Sequence, residues 1–517
     1  MGRHRLRTLG ACFFLLPLIS PSSGPGAGLS DGSTEPGISL RAPRGTSNWV
    51  KDENLKPGTD AWRIPADAPT SIEGYADRVS VQDGGHIGLY VSTVAPSFHV
   101  EAYRMGYYQG LGARLVWTSA EVPGSVQDPP IRDPVTNMVE APWARSLRVS
   151  ITPEWVQGVY LLKLVSSSGA QSYVPLTVRD DSSQAALVIQ NAVTTWQAYN
   201  KWGGYSLYMG PDGKFRTRAR VVSFDRPYAE ARGAVGLLNG TELPVIAMVE
   251  RLGLDITYWT DVDLHERPWL LRRHRALITL QHDEYWSSAM RRAALKGRKL
   301  YGVNIAFLGG NADYRHIRFE DSPLGPDRRV VCYKVATEDP LYGIDDREVT
   351  VNWREPPIPR PESRLNGAMF ECSKSDADMV VVDASSWLWE GTGVTDGEHL
   401  NRVVVEEYDR VTARAPTPEN IEVLAHSPLD CGRLHSHSDM TYYTTSSGAG
   451  VFDAGSFGGT AALKCGPPTK TWRCSPEIVR LTENLLAAFA AGPAGLAHPS
   501  LSNLADLGIV LKHPIRV

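Results

Sequence analysis

The chain has 517 residues, 42% of them hydrophobic and 21% charged, with a formal net charge of −4. That length exceeds one ordinary domain and can bury two or three cores, and the balanced charge offers no broad basic face, which excludes nucleic acid as a partner. The 14 tryptophans are read first as core and second as lining for a sugar or small-ligand site, because most large aromatics pack inside.

Residues 1–28 read as a signal peptide. Arg3, His4, Arg5 and Arg7 precede the apolar run LGACFFLLPLI, and SPSSGPGAG follows with small residues suited to cleavage. The run is shorter than the roughly 20 residues of a membrane-crossing helix. No later segment qualifies either, so the expectation is a secreted or extracytoplasmic protein without an integral membrane span. Cys12 precedes most of the apolar run instead of following it, which argues against lipidation. Residues 29–56, rich in Gly, Pro, Ser and Thr, read as a flexible lead-in.

From 57 to 182 the chain shows short alternating runs such as RVSVQDGG, HIGLYVST, SFHVEAYRMGYY and GVYLLKLVSSSG. Period-two alternation broken by turns predicts an all-β sandwich, of immunoglobulin-like kind. The pattern changes at 183. ALVIQN, DITYWTD, ALITL and VNIAFLGG are continuous apolar strands, interleaved with the helical stretches PVIAMVERLG and SSAMRRAALKGRKLYG. Strand alternating with helix predicts an α/β domain over 183–495, a parallel sheet covered on both faces. Its last helix, PEIVRLTENLLAAFAA, takes Ser475 as cap and Pro476 at its first position, and 496–517 form a tail.

Ligands of such sheets bind beyond the carboxyl ends of the strands. Three stretches fall there: TTWQAYN, QHDE and GGNADYR. In QHDE, His282, Asp283 and Glu284 are adjacent, although capping the next helix requires one acid only. Near the end, HSHSDMTYY sets His435, His437 and Asp439 at alternate positions. On a strand they would share one face and suit zinc or ferrous iron. The Gly, Ser and Asp residues around them favour a surface loop with solvated histidines instead. GxSxG, HExxH, GxxxxGK[ST] and a GxGxxG after a strand are all absent from the sequence. In an exported chain the cysteines favour disulfides. Cys465 and Cys474 enclose a short loop and form the first pair; Cys332 with Cys372 is the second, leaving Cys431 alone.

ALVIQNAVTTWQAYNKWGGYSLY, VVSFDRPY, LITLQHDEYW, FLGGN and TYYTTSSGAGVFDAG together resemble the carboxyl-terminal region of the large-subunit family of N,N-dimethylformamidase, over about Ala185 to Gly492. The resemblance implies glutamine-amidotransferase- or flavodoxin-like layering of the α/β domain. It also implies a mononuclear, non-haem iron and hydrolysis of a small amide. Carried over by motif, the metal ligands are Tyr199 in QAYN, Tyr228 in FDRPY and Glu284 in HDE. His282 becomes the proton-transferring group, with Asn311 in GGN and Glu407 in EEYDR beside it. Two phenolates and a carboxylate are hard anionic donors, which suits Fe3+. The substrate expected is a small or sugar-linked amide. The family's characterised enzyme works inside the cell with a small partner subunit, whereas the leader here points outside; a homo-oligomer is neither required nor excluded. The rival reading is a non-catalytic protein that binds carbohydrate or cell-envelope polymer on the same scaffold.

Overall fold

Strand-forming sequence dominates the molecule, and it is used in two ways. In a computed structural model, which describes residues 48–229, 238, 242–465 and 474–517, most of the chain is strand arranged in several sheets. The segment read as a signal peptide and most of the lead-in lie outside the described residues. The end of the lead-in is helical, not flexible: Trp49–Asn54 forms a short helix. Val50 is buried, and the Asn54 side chain bonds Glu250 at 2.9 Å and accepts the amides of Tyr107 and Tyr108 at 3.0 Å. These tertiary partners hold a segment whose composition alone would leave it loose.

Residues 72–179 build two facing sheets. One orders Ile72–Ala76, His86–Thr93 and Leu147–Ser150; the other orders Ser80–Gln82, Gln171–Arg179, Gly158–Ser166, Ser97–Met105 and Ala113–Thr118. Alternation decides which side chains go inward. Along Ser97–Met105, Phe98, Val100 and Ala102 are buried while His99 and Glu101 are half-exposed, so the even positions meet Ile87, Leu89, Leu162 and Leu164 in a shared core.

The larger sheet orders Ile256–Thr260, Leu187–Asn191, Ala276–Thr279, Asn304–Phe307, Gly450–Asp453, Leu434–Thr444 and Glu422–Cys431. The first five are mutually parallel, Leu434–Thr444 pairs antiparallel with Gly450–Asp453, and Glu422–Cys431 pairs antiparallel with Leu434–Thr444 in turn. Every residue of Leu187–Asn191 is buried, as expected of a strand covered on both faces. The helices Leu243–Arg251, Ser288–Leu300 and Pro476–Ala491 alternate with these strands or close the series. Ser287 and Ser475 cap two of them by accepting the amides of Met290 and Ile478.

The two sheet systems belong to one compact unit, Asn48–Val517. A buried ion pair ties them together: Arg104 on a sandwich strand contacts Glu250 on Leu243–Arg251 at 2.6 Å, and Tyr258 donates to the same carboxylate at 2.8 Å. In the tail, His513–Ile515 pairs in parallel with Pro416–Pro418. No helix among the described residues is long and apolar enough to cross a membrane.

Two disulfides join Cys465 to Cys474 and Cys372 to Cys431. The second corrects the expected partner of Cys372. Cys332 is buried and unpaired beyond Val331, with its thiol directed at the His316 carbonyl. Cys372 lies on the long strand Met369–Val380, which packs against Glu422–Cys431 and so reaches Cys431. Spacing along the chain carries no information about that crossing.

Candidate functional site

The carboxyl ends of the parallel strands gather the polar residues. Beyond Leu187–Asn191 the chain enters the helix Val193–Tyr199, and the Thr195 hydroxyl accepts the Glu284 amide at 3.1 Å. Beyond Ala276–Thr279, Gln281 takes a left-handed φ of 32° and turns His282, Asp283 and Glu284 inward; all three are buried. Gly309, beyond the next strand, passes so close that a Cβ there would lie 2.0 Å from the Gln281 carbonyl oxygen. Glycine is required by that approach. Asn311 follows at φ 55°, its amide donating to both oxygens of Asp409 at 2.9 Å and its side chain to Glu407 at 2.6 Å. Glu407 and Asp409 arrive on His399–Arg410, half of the long hairpin inserted before the outer strands.

Glu284 is the centre. Tyr199 donates to it at 3.1 Å, Tyr208 reaches both its oxygens at 2.9 and 2.7 Å, and Arg315 approaches at 3.1 Å. The His282 Nε2 lies 3.3 Å from Glu284 and 3.2 Å from Glu407, bridging the two carboxylates. Its ring sits between Tyr199 and Phe457, at centroid distances of 5.4 and 4.7 Å. Lys334 completes the wall, 3.3 Å from the centroid of the Tyr208 ring and donating to the Tyr285 hydroxyl at 2.8 Å.

Burial and mutual charge set the protonation. Burial alone would raise the Glu284 pKa, but His282, Arg315 and Lys334 outweigh it and hold the group ionised. Burial would lower that of His282, yet Glu407 and Glu284 push it up to about 10. Burial and then the Glu284 charge drive the Tyr199 and Tyr208 phenols well above their usual range. Burial and Arg315 bring Lys334 down to about 7.

The structure therefore brings together Tyr199, His282, Glu284, Asn311 and Glu407. It does not bring Tyr228 to them. Tyr228 lines a separate cavity with Tyr75, Trp196, Gln197 and Arg226, and none of the hydrogen bonds among the described residues joins it to Glu284. The FDRPY stretch acts differently: buried Arg226 donates to the carbonyls of Asn200, Trp202 and Tyr205 and to the Gln197 side chain. It clamps the loop that carries Tyr199 and Tyr208. Sequence reasoning missed Tyr208, Arg315 and Lys334. The first two lie inside stretches already noted, at the end of GGYSLY and of GGNADYR, but no spacing rule marks a phenol or a guanidinium as facing a carboxylate.

His435, His437 and Asp439 lie on the strand Leu434–Thr444 and not in a loop. His435 is exposed and contacts Asp430; His437 and Asp439 instead meet His426 on the neighbouring strand.

The residues around Glu284 fit a hard cation by donor chemistry, since two phenolic oxygens converge on one ionised carboxylate inside the protein. The Oδ1 of Asn311 is buried without a hydrogen-bond partner among the described residues, so the pocket has polar capacity to spare for a ligand.

An imidazole held between two carboxylates thus lies at the carboxyl edge of the parallel strands, where open α/β sheets bind their ligands. The chain belongs to the family described as N,N-dimethylformamidase beta subunit-like, C-terminal, whose model matches residues 99–471. The match begins inside the sandwich, on Ser97–Met105, ahead of the Ala185 limit read from the motifs. No curated protein matches the sequence. Among solved structures, murine CEACAM1b is similar at 12% identity and a TM-score of 0.12; the similarity covers 23% of this chain and 62% of that one. That likeness carries no argument.

Proposed function

We propose that the protein is an extracytoplasmic hydrolase of C–N bonds in small amides, with a mononuclear non-haem ferric ion held by Tyr199, Tyr208 and Glu284. The observation that carries the reading is the convergence of two tyrosine hydroxyls on the one carboxylate that His282 also faces. Tyr208 takes the place assigned by motif to Tyr228. Two further points belong to the same reading: an immunoglobulin-like sandwich and a flavodoxin-like layering of the α/β part, for which the 2-1-3 order of the first three parallel strands is the support. Export is supported by the basic and apolar leader and by the two disulfides.

Without a cation the two phenols stay protonated, because burial and the Glu284 charge oppose a second and third negative charge. A ferric ion bound by such oxygens polarises a carbonyl oxygen and acidifies water. The rest is done by the chain. His282 holds a proton at Nε2 between Glu284 and Glu407 and delivers it to the departing amine nitrogen. Glu407, fixed by the Asn311 side chain at 2.6 Å, sets the plane of that imidazole. The unpartnered Oδ1 of Asn311 accepts the N–H of a secondary amide such as an N-acetylated sugar, a contact that dimethylformamide, which has no N–H, does not make. Glu284 is 1% and His282 6% exposed, so the reacting group must be small or carried on a slender arm.

The test is metal analysis of the purified full chain together with hydrolysis of dimethylformamide and of N-acetylated sugars. Near-stoichiometric iron, a visible tyrosinate-to-iron band and release of amine support the reading. Protein without iron or colour overturns it, and binding of polysaccharide by that same protein would favour the non-catalytic rival.

A further inference from the structure

We propose a second metal site, for one divalent cation of the zinc type, formed by His426, His437 and Asp439 and separate from the Glu284 cluster. The three residues sit on two adjacent antiparallel strands, Glu422–Cys431 and Leu434–Thr444, with His426 directly opposite Asp439. His437 is two residues from Asp439 on the same strand, so alternation puts it on the same face. Their ligand atoms all lie within 4.8 Å of one another. Neighbouring ligands in a tetrahedron with bonds of about 2.1 Å are roughly 3.4 Å apart, a closure that two imidazoles can make by side-chain rotation.

Three observations point to a cation instead of a plain hydrogen-bonded cluster. First, Asp439 is fully buried, yet no lysine or arginine pairs with it among the described residues; its ionisable neighbours are the two imidazoles, His426 Nδ1 at 2.6 Å and His437 Nε2 at 3.3 Å. Second, that Nε2 is buried and meets no hydrogen-bond partner in good geometry among the described residues, although it lies 3.3 Å from the carboxylate, which leaves its lone pair available to a metal. Third, the two rings lie 4.2 Å apart, centroid to centroid, so both present ring nitrogens to the same space beside the carboxylate. Each imidazole keeps about a fifth of its side chain exposed, 22% and 20%, which leaves an entry path and an open position for water or another donor.

Two imidazoles and a carboxylate match zinc, whereas the phenol-rich Glu284 cluster matches ferric iron, so the chemistry divides the two sites. The second site also has a mechanical link to the first. The Asp439 Oδ2 accepts the Val411 amide at 2.7 Å, just past the strand that carries Glu407. A cation on Asp439 would rest on the group that anchors that strand.

The test uses the purified full chain and Co2+ as the probe, followed by Zn2+ in competition. Paramagnetically shifted imidazole resonances from two histidines are expected, with displacement by Zn2+. H437A should remove them and weaken Zn2+ binding by more than the roughly 10–100-fold that outer partners of a metal site are worth. H435A should change neither. E284Q should keep the histidine signals while losing iron, which separates failure of this site from failure of the first. H426Q serves as the second ligand variant should H437A not fold. Absence of shifted histidine signals in the wild-type chain, or their persistence in a folded H437A or H426Q protein, overturns the proposal.

Discussion

Tyr208 and Tyr228 differ in what their hydroxyls face, and that difference can be measured. Tyr208→Phe removes an oxygen that touches Glu284 twice, so iron and the visible band should be lost while stability changes by only about the 1.5–3 kcal/mol of a hydrogen bond to a charged group. Tyr228→Phe should retain both, because its ring lines another cavity. For His282→Gln the expectation is full iron content and colour with amide turnover reduced by about 100-fold or more, as for loss of a general acid; single-turnover and metal assays on one preparation check it. At this scale the sequence was informative where ionisable residues crowd a strand end. His282 and Glu284 stand out there because a helix cap needs fewer charges, whereas Asn311 was singled out only by the family resemblance. Tyr208 did not stand out, since a tyrosine in an aromatic loop has the same local appearance whether it packs or binds. The role of FDRPY was misplaced for a related reason: Arg226, not Tyr228, makes the contacts that shape the loop.

Among the elements, two features decide how the site is assembled. The approach of Gly309 to Gln281 brings two strand ends into register, and Gly309→Ala would force a Cβ against a carbonyl oxygen. Overpacking of that kind costs about 1–3 kcal/mol, and here the displacement would separate His282 from Asn311, so urea denaturation and turnover should fall together. The disulfide Cys372–Cys431 closes a loop with a sequence separation of 59, worth about 4 kcal/mol in the chain-entropy model; the Cys372→Ser, Cys431→Ser double variant should lose stability of that order. The strands Leu187–Asn191, Ile256–Thr260, Ala276–Thr279 and Asn304–Phe307 were legible in the sequence because burial on both faces leaves largely apolar runs, whereas the short helices Val193–Tyr199 and Asp261–Glu266 were not. The hairpin Met369–Val380 with His399–Arg410 was not, because it carries several register shifts and a left-handed residue at Glu406. Such bulges interrupt the alternation from which a strand is read.

For the whole molecule, Arg104 and Glu250 couple the sandwich to the helical layer. Glu250→Ala would leave a buried guanidinium unpaired, a change that costs about 3–5 kcal/mol, and should appear as a lower denaturation midpoint. A pH effect is expected from Asp313, whose carboxyl burial raises from its ordinary 3.8 to about 7 against the opposing charge of Arg291. Between those values the folded chain keeps a proton that the unfolded chain has released. The contribution of Asp313 is therefore complete below about pH 4 and is lost as the pH climbs through about 7. In metal-free protein Asp313→Asn should flatten that part of the stability profile. The large sheet has one more consequence, which concerns the order of synthesis. Gly450–Asp453 lies between Asn304–Phe307 and Leu434–Thr444, so a strand made late fills the gap between one made far earlier and another made just before it. Until it arrives, the parallel half ends in a bare edge with unpaired amides and carbonyls, a template for pairing with other chains. A nascent or clipped chain that stops short of Gly450 should thus aggregate, and the protein's solubility in the cell should depend on whatever shields that edge during the interval.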